Sequence, residues 1–580
     1  MIERGQRWRL LLVIGVIALV WTGLGARLAY LHLGANDHLR ERIESIRTVE
    51  NDILVGRGRI LDRTGNIMAL DLALKHVFVD PKMVLESGHG RFITAQLARM
   101  LELDPAMVAS KVNRPDRRFE YVKTFVHQDV AADIRSMGLN GVHFEDVSAR
   151  YYPRGVLLSH VLGFSNLEGV GSAGVEQRFD RYLKGVPGLR ITEVDGRRRE
   201  VYERRGVDIK PQEGADVFLT IDQNLQYFVE RALDRAMVDH SAKGAWAIVQ
   251  HVRTGEILAM AARPDFDPNE YRRAPEDHRL NRTIGFTYEP GSTFKVAVFA
   301  AAFNEGLITP DEIVDCENGR WIHNGRPLRD FHPYGKLTIA DALKKSSNIA
   351  AAKIALELGE ERLYNYLRAF GVGRTTGISL PGEEAGILNP RNRWTSLSIS
   401  RIAMGHEVAV TSLQLVNMLS AIGNNGFLMK PRVVNKVVNI KGETVVAVSD
   451  EVLGRPIRGE TARLMTRLLA RITETGGTGA RARVDGYTVA GKTGTAQKPV
   501  RGGYSDHDNI ASFMGLIPAE DPQLSIIVVV DEPQPEHTGG RVAAPVYQEI
   551  ASQAVRYLDI PPVPQDLAAR FTAQYVERTK

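Results

Sequence analysis

Residues 10–26 form an unbroken run of 17 positions without a charge, LLLVIGVIALVWTGLGA. As a helix this run spans about 26 Å, at the short end for crossing a bilayer core. Arg4, Arg7 and Arg9 precede it, and positive charge stays on the cytoplasmic side. Trp8 and Trp21 fall where interfacial aromatics sit. Arg27 and Leu28 come directly after it, with no small-x-small cleavage site, so residues 1–27 read as an uncleaved signal-anchor rather than a removed signal peptide. The chain beyond Arg27 is then expected outside the cytoplasm.

Residues 28–50 are polar and helix-prone and read as a stalk. From Val55 the period shortens. GRGRILDRTGN (residues 56–66) alternates apolar and polar positions and turns at Gly65-Asn66. A helical period covers residues 92–101. The glycine-rich run 163–174 lacks the strand–loop–helix setting of a phosphate cradle and reads as a connector. Near residue 212 the pattern shifts. Residues 217–221 make a short apolar strand, and Asp222 can cap a helix reaching Asp239. Residues 245–252 and 256–262 are strand-like and joined by Arg253-Thr254-Gly255, a hairpin signal. A long, mostly helical section is expected over 292–425. Strand candidates return at 487–490, 510–516 and 524–531, the last wholly apolar at its centre, and a helix closes the pattern at 543–558. Strands at both ends with helices between predict an α+β domain around a five-stranded, mainly antiparallel sheet. The expected division is a β-rich domain over 51–215, the α+β domain over 216–560, and a tail over 561–580 that opens with Pro561, Pro562 and Pro564.

A chain of 580 residues is too long for one core, in keeping with that division. Apolar residues at 44% and charged residues at 25% give a globular balance. The net charge is +5, with arginines bunched at Arg197, Arg198, Arg199, Arg204 and Arg205. A basic surface can meet nucleic acid, anionic lipid or an acidic polymer. No nucleic-acid-binding module accompanies these charges, and a solvated face is the favoured reading. Cys316 is the one cysteine. It excludes an intrachain disulfide and lies in a strand-edge pattern with no paired histidine, which makes it a poor nucleophile candidate.

Three short motifs carry candidate chemistry. EPGSTFKV (residues 289–296) sets Ser292 at a helix start with Lys295 three positions on, sharing its face. A serine hydroxyl needs a base in reach, and a lysine serves if burial or another cation lowers its pKa. Alone, S-x-x-K is weak. Ser346-Ser347-Asn348 breaks two helical patterns, and helix capping is the plain alternative. Ala490-Gly491-Lys492-Thr493-Gly494-Thr495 comes after a strand signal; its cation and hydroxyls suit a carboxylate, although a turn after an edge strand explains it equally.

In this order, with 54 residues from Ser292 to Ser346 and 146 from Ser346 to Lys492, the motifs resemble the S-x-x-K, S-x-N and K-T-G set of penicillin-binding proteins and serine β-lactamases. GRGRILDRTG (56–65), Gly174-Val175-Glu176 and TGEILAM (254–260) look like class B penicillin-binding proteins, most like the septal FtsI type. The resemblance covers about residues 50–558. It implies a penicillin-binding/serine β-lactamase-like transpeptidase fold, an N-terminal pedestal or dimerisation-like domain, and one transmembrane helix in the cytoplasmic membrane. It implies that Ser292 acylates on peptidoglycan stem peptides ending in D-Ala-D-Ala. Lys295 would be the base, Lys492 would keep it neutral, Ser346 would relay a proton, and Asn348 would hold Lys295 and the substrate amide. Lys492, Thr493, Gly494 and Thr495 would receive the carboxylate, with the backbone N–H groups of Ser292 and Thr495 as oxyanion hole. No metal or organic cofactor is implied. β-Lactams and an FtsW-like glycosyltransferase among other division proteins are the implied partners. An elongation-type enzyme, a serine β-lactamase and a non-catalytic division scaffold are the alternatives. The chain departs from the class at Gly405-His406-Glu407, where Gly-x-Gly is usual, and at Gln250-His251-Val252, where Asp-Pro is.

Overall fold

A computed structural model describes residues 4–33, 48–53, 55–194, 200–500, 503–564, 566 and 571. The chain divides into two bodies, Met1–Val55 with Val186–Gln212, and Gly56–Gly185 with Glu213–Lys580.

The first body holds helix α1 (Arg4–Leu33) and a three-stranded antiparallel sheet, with Gly188–Val194 between Thr48–Ile53 and Glu200–Ile209. A 26-residue stretch, Arg7–His32, is long and apolar enough to cross a membrane and has no buried residues. The helix thus runs beyond residue 26, taking the start of the expected stalk with it. The rest of the stalk up to residue 47, Arg197 to Arg199 and most of the tail lie outside the described residues.

The second body contains the five-stranded sheet that the sequence predicts, with strands β1 (Gly244–His251), β2 (Ile257–Arg263), β3 (Ala490–Val500), β4 (Gly503–Ile517) and β5 (Leu524–Asp531). Its order is β2-β1-β5-β4-β3, antiparallel throughout. Both faces are covered, so strands β1 and β5 are apolar almost without interruption. Ala245, Ala247, Val249 and the alternate residues of β5 pack with helices α2 (Gln223–Asp239) and α7 (Ala543–Tyr557). Trp246, Ile248, Ile527 and Val529 point the other way, into a core shared with helices α3 (Lys295–Glu305), α5 (Asn348–Leu358) and α6 (Ser412–Gly423). Helix α4 (Ile339–Lys345) precedes α5. Asp222 caps α2, its carboxylate accepting from the N–H groups of Asn224 and Leu225. The unusual Gln250 is buried in β1 and donates to Asn417 of α6 at 2.9 Å, tying the sheet to its helical cover.

Two expectations need correction. The section between α3 and α4 is not helical: it carries the short strand pairs Ile313–Asp315 with Lys336–Thr338 and Arg320–His323 with Arg326–Arg329. Polar residues alternate there too irregularly to give a period. The strand signal at 487–490 is displaced to β3, and Lys492 to Thr495 lie inside that strand rather than after it. Their burial comes from neighbours across the sheet, which a local hydropathy pattern does not register.

A second, seven-stranded sheet runs through Thr444–Ala447, Val434–Val438, Asp216–Leu219, Ile60–Leu61, Ile67–Val79 and Glu120–His127, with Val142–Tyr151 also paired to Ile67–Val79. The GRGRILDRTGN motif is its hub. A Cβ at Gly58 would lie 2.0 Å from the carbonyl oxygen of Ala215, so only glycine fits that crossing. Arg57 enters the interior instead. Its Nε donates to Glu176 at 2.6 Å and its Nη1 to Asp180 at 2.6 Å, while Arg150 Nε donates to the other Glu176 oxygen at 2.6 Å. The Glu176 side chain is fully buried. Removing it would take the shared carboxylate from two buried guanidinium groups, leaving Arg57 with Asp180 and Arg150 with Asp71. Glu176→Ala is therefore expected to cost about 3–5 kcal/mol, read as a lower midpoint of thermal unfolding of the detergent-solubilised protein.

Candidate active site

The segment Gly291–Phe294 forms a 3-10 turn that runs without a break into α3. The next residues, Val296 to Phe303, are all buried, so α3 is a core helix and its first turn is drawn inside. Ser292 sits on the turn, half-buried. Lys295 opens the helix with no exposed surface. Gly291 takes φ +55°, and a Cβ on it would approach the Thr495 carbonyl oxygen of β3 to 3.0 Å. The Pro290-Gly291-Ser292 turn is thus pressed onto the edge strand of the sheet.

Between α4 and α5 the chain makes the Ser346-Ser347-Asn348 turn. Ser346 adopts φ +60°, a left-handed conformation that carries a penalty of about 1–2 kcal/mol for a residue with a Cβ. Capping and chemistry are divided between neighbours here. Ser347 caps α5, its hydroxyl accepting from the Ala350 N–H at 3.0 Å. Ser346 and Asn348 instead meet Lys295, whose Nζ donates to Ser346 O at 2.6 Å, to Ser346 Oγ at 3.2 Å and to Asn348 Oδ1 at 2.7 Å.

Lys492 arrives from β3, also without exposed surface. Its Nζ donates to Ser346 Oγ at 2.9 Å and to Thr493 O at 3.0 Å. One hydroxyl therefore lies between two buried amines, and neither amine forms an ion pair among the described residues. Burial pushes the Lys295 ammonium down to about 7, with the negative charge of Asp330 opposing the shift. Lys492 is held well below its ordinary value, first by burial and then by repulsion from Lys295. Ser292 Oγ makes no hydrogen bond among the described residues, so its approach to Lys295 is not closed in this state. Michaelis-complex geometry commonly tightens such contacts.

The remaining predicted positions line the same strand. Thr493 Oγ1 donates to Thr478 Oγ1 at 3.0 Å, and Thr495 Oγ1 accepts from the Gly539 N–H at 3.1 Å. At Gly494 a Cβ would meet Ser512 Oγ at 2.3 Å and Thr293 Cγ2 at 2.9 Å, which explains its glycine. No group of three His, Cys, Asp or Glu side chains suited to a metal occurs among the described residues.

Three neighbours of the site are not among the candidate residues. Asp330 accepts from the backbone N–H groups of Asn348 and Ile349 and from the Ser347 hydroxyl. Glu289 accepts from the Glu407 N–H at 2.9 Å and from Tyr504 O–H at 3.3 Å, and lies 3.2 Å from His406 Nδ1. Tyr504 itself meets the His406 ring edge-on at 5.2 Å. The adjacency of Glu289 to the Pro290-Gly291-Ser292 turn was a usable signal; Asp330 and Tyr504 had none in the local sequence. The Gly405-His406-Glu407 departure is accommodated here. Glu407 carries the left-handed φ of +56° that glycine usually supplies, held by Glu289 and by Arg401 at 3.0 Å. His406 is packed rather than free.

Comparison with known proteins identifies the families along the chain. Residues 245–552 match the penicillin-binding protein transpeptidase domain family, and residues 52–219 match the penicillin-binding protein dimerisation domain family. The chain is 32% identical to the peptidoglycan D,D-transpeptidase FtsI of Escherichia coli (strain K12), over 96% of this chain and 92% of that one. It is 31% identical to the stage V sporulation protein D of Bacillus subtilis (strain 168), over 97% and 88%. Among solved structures, penicillin binding protein 3 of Mycobacterium tuberculosis complexed with aztreonam superimposes with a TM-score of 0.70, at 27% identity over 89% of this chain and 98% of that one.

Gly405 offers a direct check on the packing of the nucleophile turn. It has φ +83°, and a Cβ would fall 2.2 Å from the Gly291 carbonyl oxygen. Gly442 has φ +82° and open space around it. Gly442→Ala should cost about 1–2 kcal/mol from backbone strain alone. Gly405→Ala should cost clearly more, because backbone must move as well, and should give the larger fall in thermal midpoint.

Proposed function

The chain belongs to the class B penicillin-binding proteins, with a transpeptidase and a dimerisation domain, and from that membership we propose that it cross-links peptidoglycan stem peptides at the division septum through a serine acyl-enzyme. The observation that carries the reading is the meeting of Lys295, Ser346 and Lys492 beside the Ser292 turn.

In this mechanism Ser292 Oγ attacks the carbonyl between the two terminal D-alanines. Its proton passes to Lys295, which burial keeps partly neutral at physiological pH. The backbone N–H groups of Ser292 and Thr495 receive the developing oxyanion at the edge of β3. Ser346, in contact with both amines, delivers a proton to the departing D-alanine amine as the C–N bond breaks. Lys492, Thr493 and Thr495 bind the terminal carboxylate around Gly494, and Asn348 holds Lys295 and the substrate amide. The amine of a neighbouring stem then attacks the ester, forms the new amide and frees Ser292. A β-lactam enters as a mimic of the D-Ala-D-Ala end and stays as a slowly hydrolysed ester. Helix α1 anchors the protein as a single span in the cytoplasmic membrane, with the catalytic domain outside the cytoplasm. The N-terminal domain serves as a pedestal for an FtsW-like glycosyltransferase. Similarity to the relatives named peptidoglycan D,D-transpeptidase FtsI and stage V sporulation protein D supports the septal assignment over elongation.

Fluorescent penicillin tests the reading. Wild type should label covalently and retain the label, and Ser292→Ala should lose it. Rapid turnover of the drug, or label that survives Ser292→Ala, would overturn the assignment. Depletion should give filaments; round cells would move the enzyme to elongation.

The pH dependence stems from Lys295. Its ammonium is depressed to about 7, and only the neutral amine accepts the serine proton. The rate of acylation should therefore be low in acid and rise as pH passes through about 7. A rate constant flat between pH 5 and 8 would remove Lys295 from the role of base.

A further inference from the structure

The short strand Arg326–Arg329 ends against the Ser346-Ser347-Asn348 turn, and Asp330 comes next in the chain, half-buried. One of its oxygens, Oδ1, accepts from the Asn348 N–H at 2.5 Å and the Ile349 N–H at 3.1 Å. These are donors of the first turn of α5, which no residue inside the helix can satisfy. The other oxygen accepts from the Ser347 hydroxyl at 2.7 Å. That bond orients Ser347 Oγ to accept from the Ala350 N–H. The carboxylate thus closes the helix start directly and through the capping serine.

The same strand fixes the amide of Asn348. Its Nδ2 donates to the Arg329 carbonyl oxygen at 2.8 Å. The amide nitrogen being committed to Arg329, the oxygen faces Lys295 Nζ, as its 2.7 Å contact requires. Ser346, one residue before the cap, is held in its left-handed conformation, with its hydroxyl between Lys295 and Lys492. An anchor on the far side opposes relaxation of a serine at φ +60° and so keeps its hydroxyl between the two amines.

We propose that Asp330 is a positioning residue for acyl transfer: its carboxylate locks the Ser346-Ser347-Asn348 turn from behind and sets the placement of the Ser346 hydroxyl and the Asn348 amide on Lys295. The proposal rests on the transpeptidase reading above and adds to it a residue outside the three motifs. Asp330 also supplies the anion that acts on Lys295 from a distance. The other titratable groups around this pair are Lys492 on β3, facing Lys295, and Cys316 and Tyr334, both of which feel the Asp330 charge. Lys353 and Asp315 act on Cys316 in turn. Removing the Asp330 charge takes away a stabilising partner of the Lys295 ammonium, so the protonated form becomes less favoured.

Two substitutions separate geometry from charge. Asp330→Asn keeps the shape and an acceptor for the helix N–H groups but is neutral. Asp330→Ala removes the lock. Second-order acylation by fluorescent penicillin is measured on the full-length detergent-solubilised protein from pH 5 to 9, beside thermal midpoints. For Asp330→Asn the acid limb of the profile should move to lower pH by about half a unit or more. For Asp330→Ala the plateau rate should fall about tenfold or more, with Asp330→Asn recovering most of it. A purely structural aspartate would lower the thermal midpoint without moving the limb. Should Asp330→Ala fail to fold, Asp330→Glu, which keeps the charge but displaces the oxygens from the Asn348 and Ile349 N–H groups, takes its place with the same expected fall in plateau rate. A plateau rate for Asp330→Ala equal to wild type, with wild type labelling normally, overturns the role of Asp330 alone, whereas an unmoved limb in Asp330→Asn removes only its charge effect on Lys295. Wild type that fails to label overturns the underlying transpeptidase reading and this proposal with it.

Discussion

Two primary amines with no exposed surface converge on a single serine hydroxyl, and neither has a carboxylate partner among the described residues. Burying an isolated ammonium is far costlier than burying an amine, so the pair is driven toward neutrality. That constraint shapes the surrounding architecture. It requires a helix apolar enough to be drawn wholly into the core, which α3 is. It also requires a strand that delivers Lys492 into the interior, which β3 does by lying at the sheet edge beneath the nucleophile turn. The proposed chemistry depends on this enforced neutrality, since a solvated lysine would hold its proton at neutral pH.

Backbone conformations of uncommon hand gather around the same point. Gly291, Ser346, Gly405 and Glu407 all have positive φ, and each bears on the nucleophile turn or the Ser346 hydroxyl. Strain of this kind persists only where neighbours over-determine it. Asp330 supplies that restraint on the Ser346 side, and Glu289 supplies it on the Glu407 side. Both carboxylates accept main-chain N–H groups; Asp330 stands outside the motifs, and Glu289 opens the EPGSTFKV segment.

The sequence made the sheet and most of its helices legible because their faces are decided by burial of runs and periods. Strand β5 and the start of α2 are cases where local pattern and tertiary role agree. It misread the stretch between α3 and α4, whose strand pairs are short and polar, and it displaced β3, where buried polar residues and glycines erase the apolar alternation. At the site, order and spacing of the motifs gave the residues that meet. They could not give Asp330, because its partners lie 17 to 19 residues further on, or Tyr504, which reaches Glu289 across 215 positions. The Ser347 cap and the Ser346 contact show that a plain structural reading and a chemical one can both hold within a single dipeptide.

The seven-stranded sheet makes no break at the junction between its N-terminal and C-terminal strands. Asp216–Leu219 has Ile60–Leu61 on one side and Val434–Val438 on the other. A fragment that began at residue 216 would bare one whole flank of that strand, leaving main-chain groups that invite pairing with foreign chains. Recombination or truncation at this seam would therefore expose a sheet edge that the intact chain keeps paired.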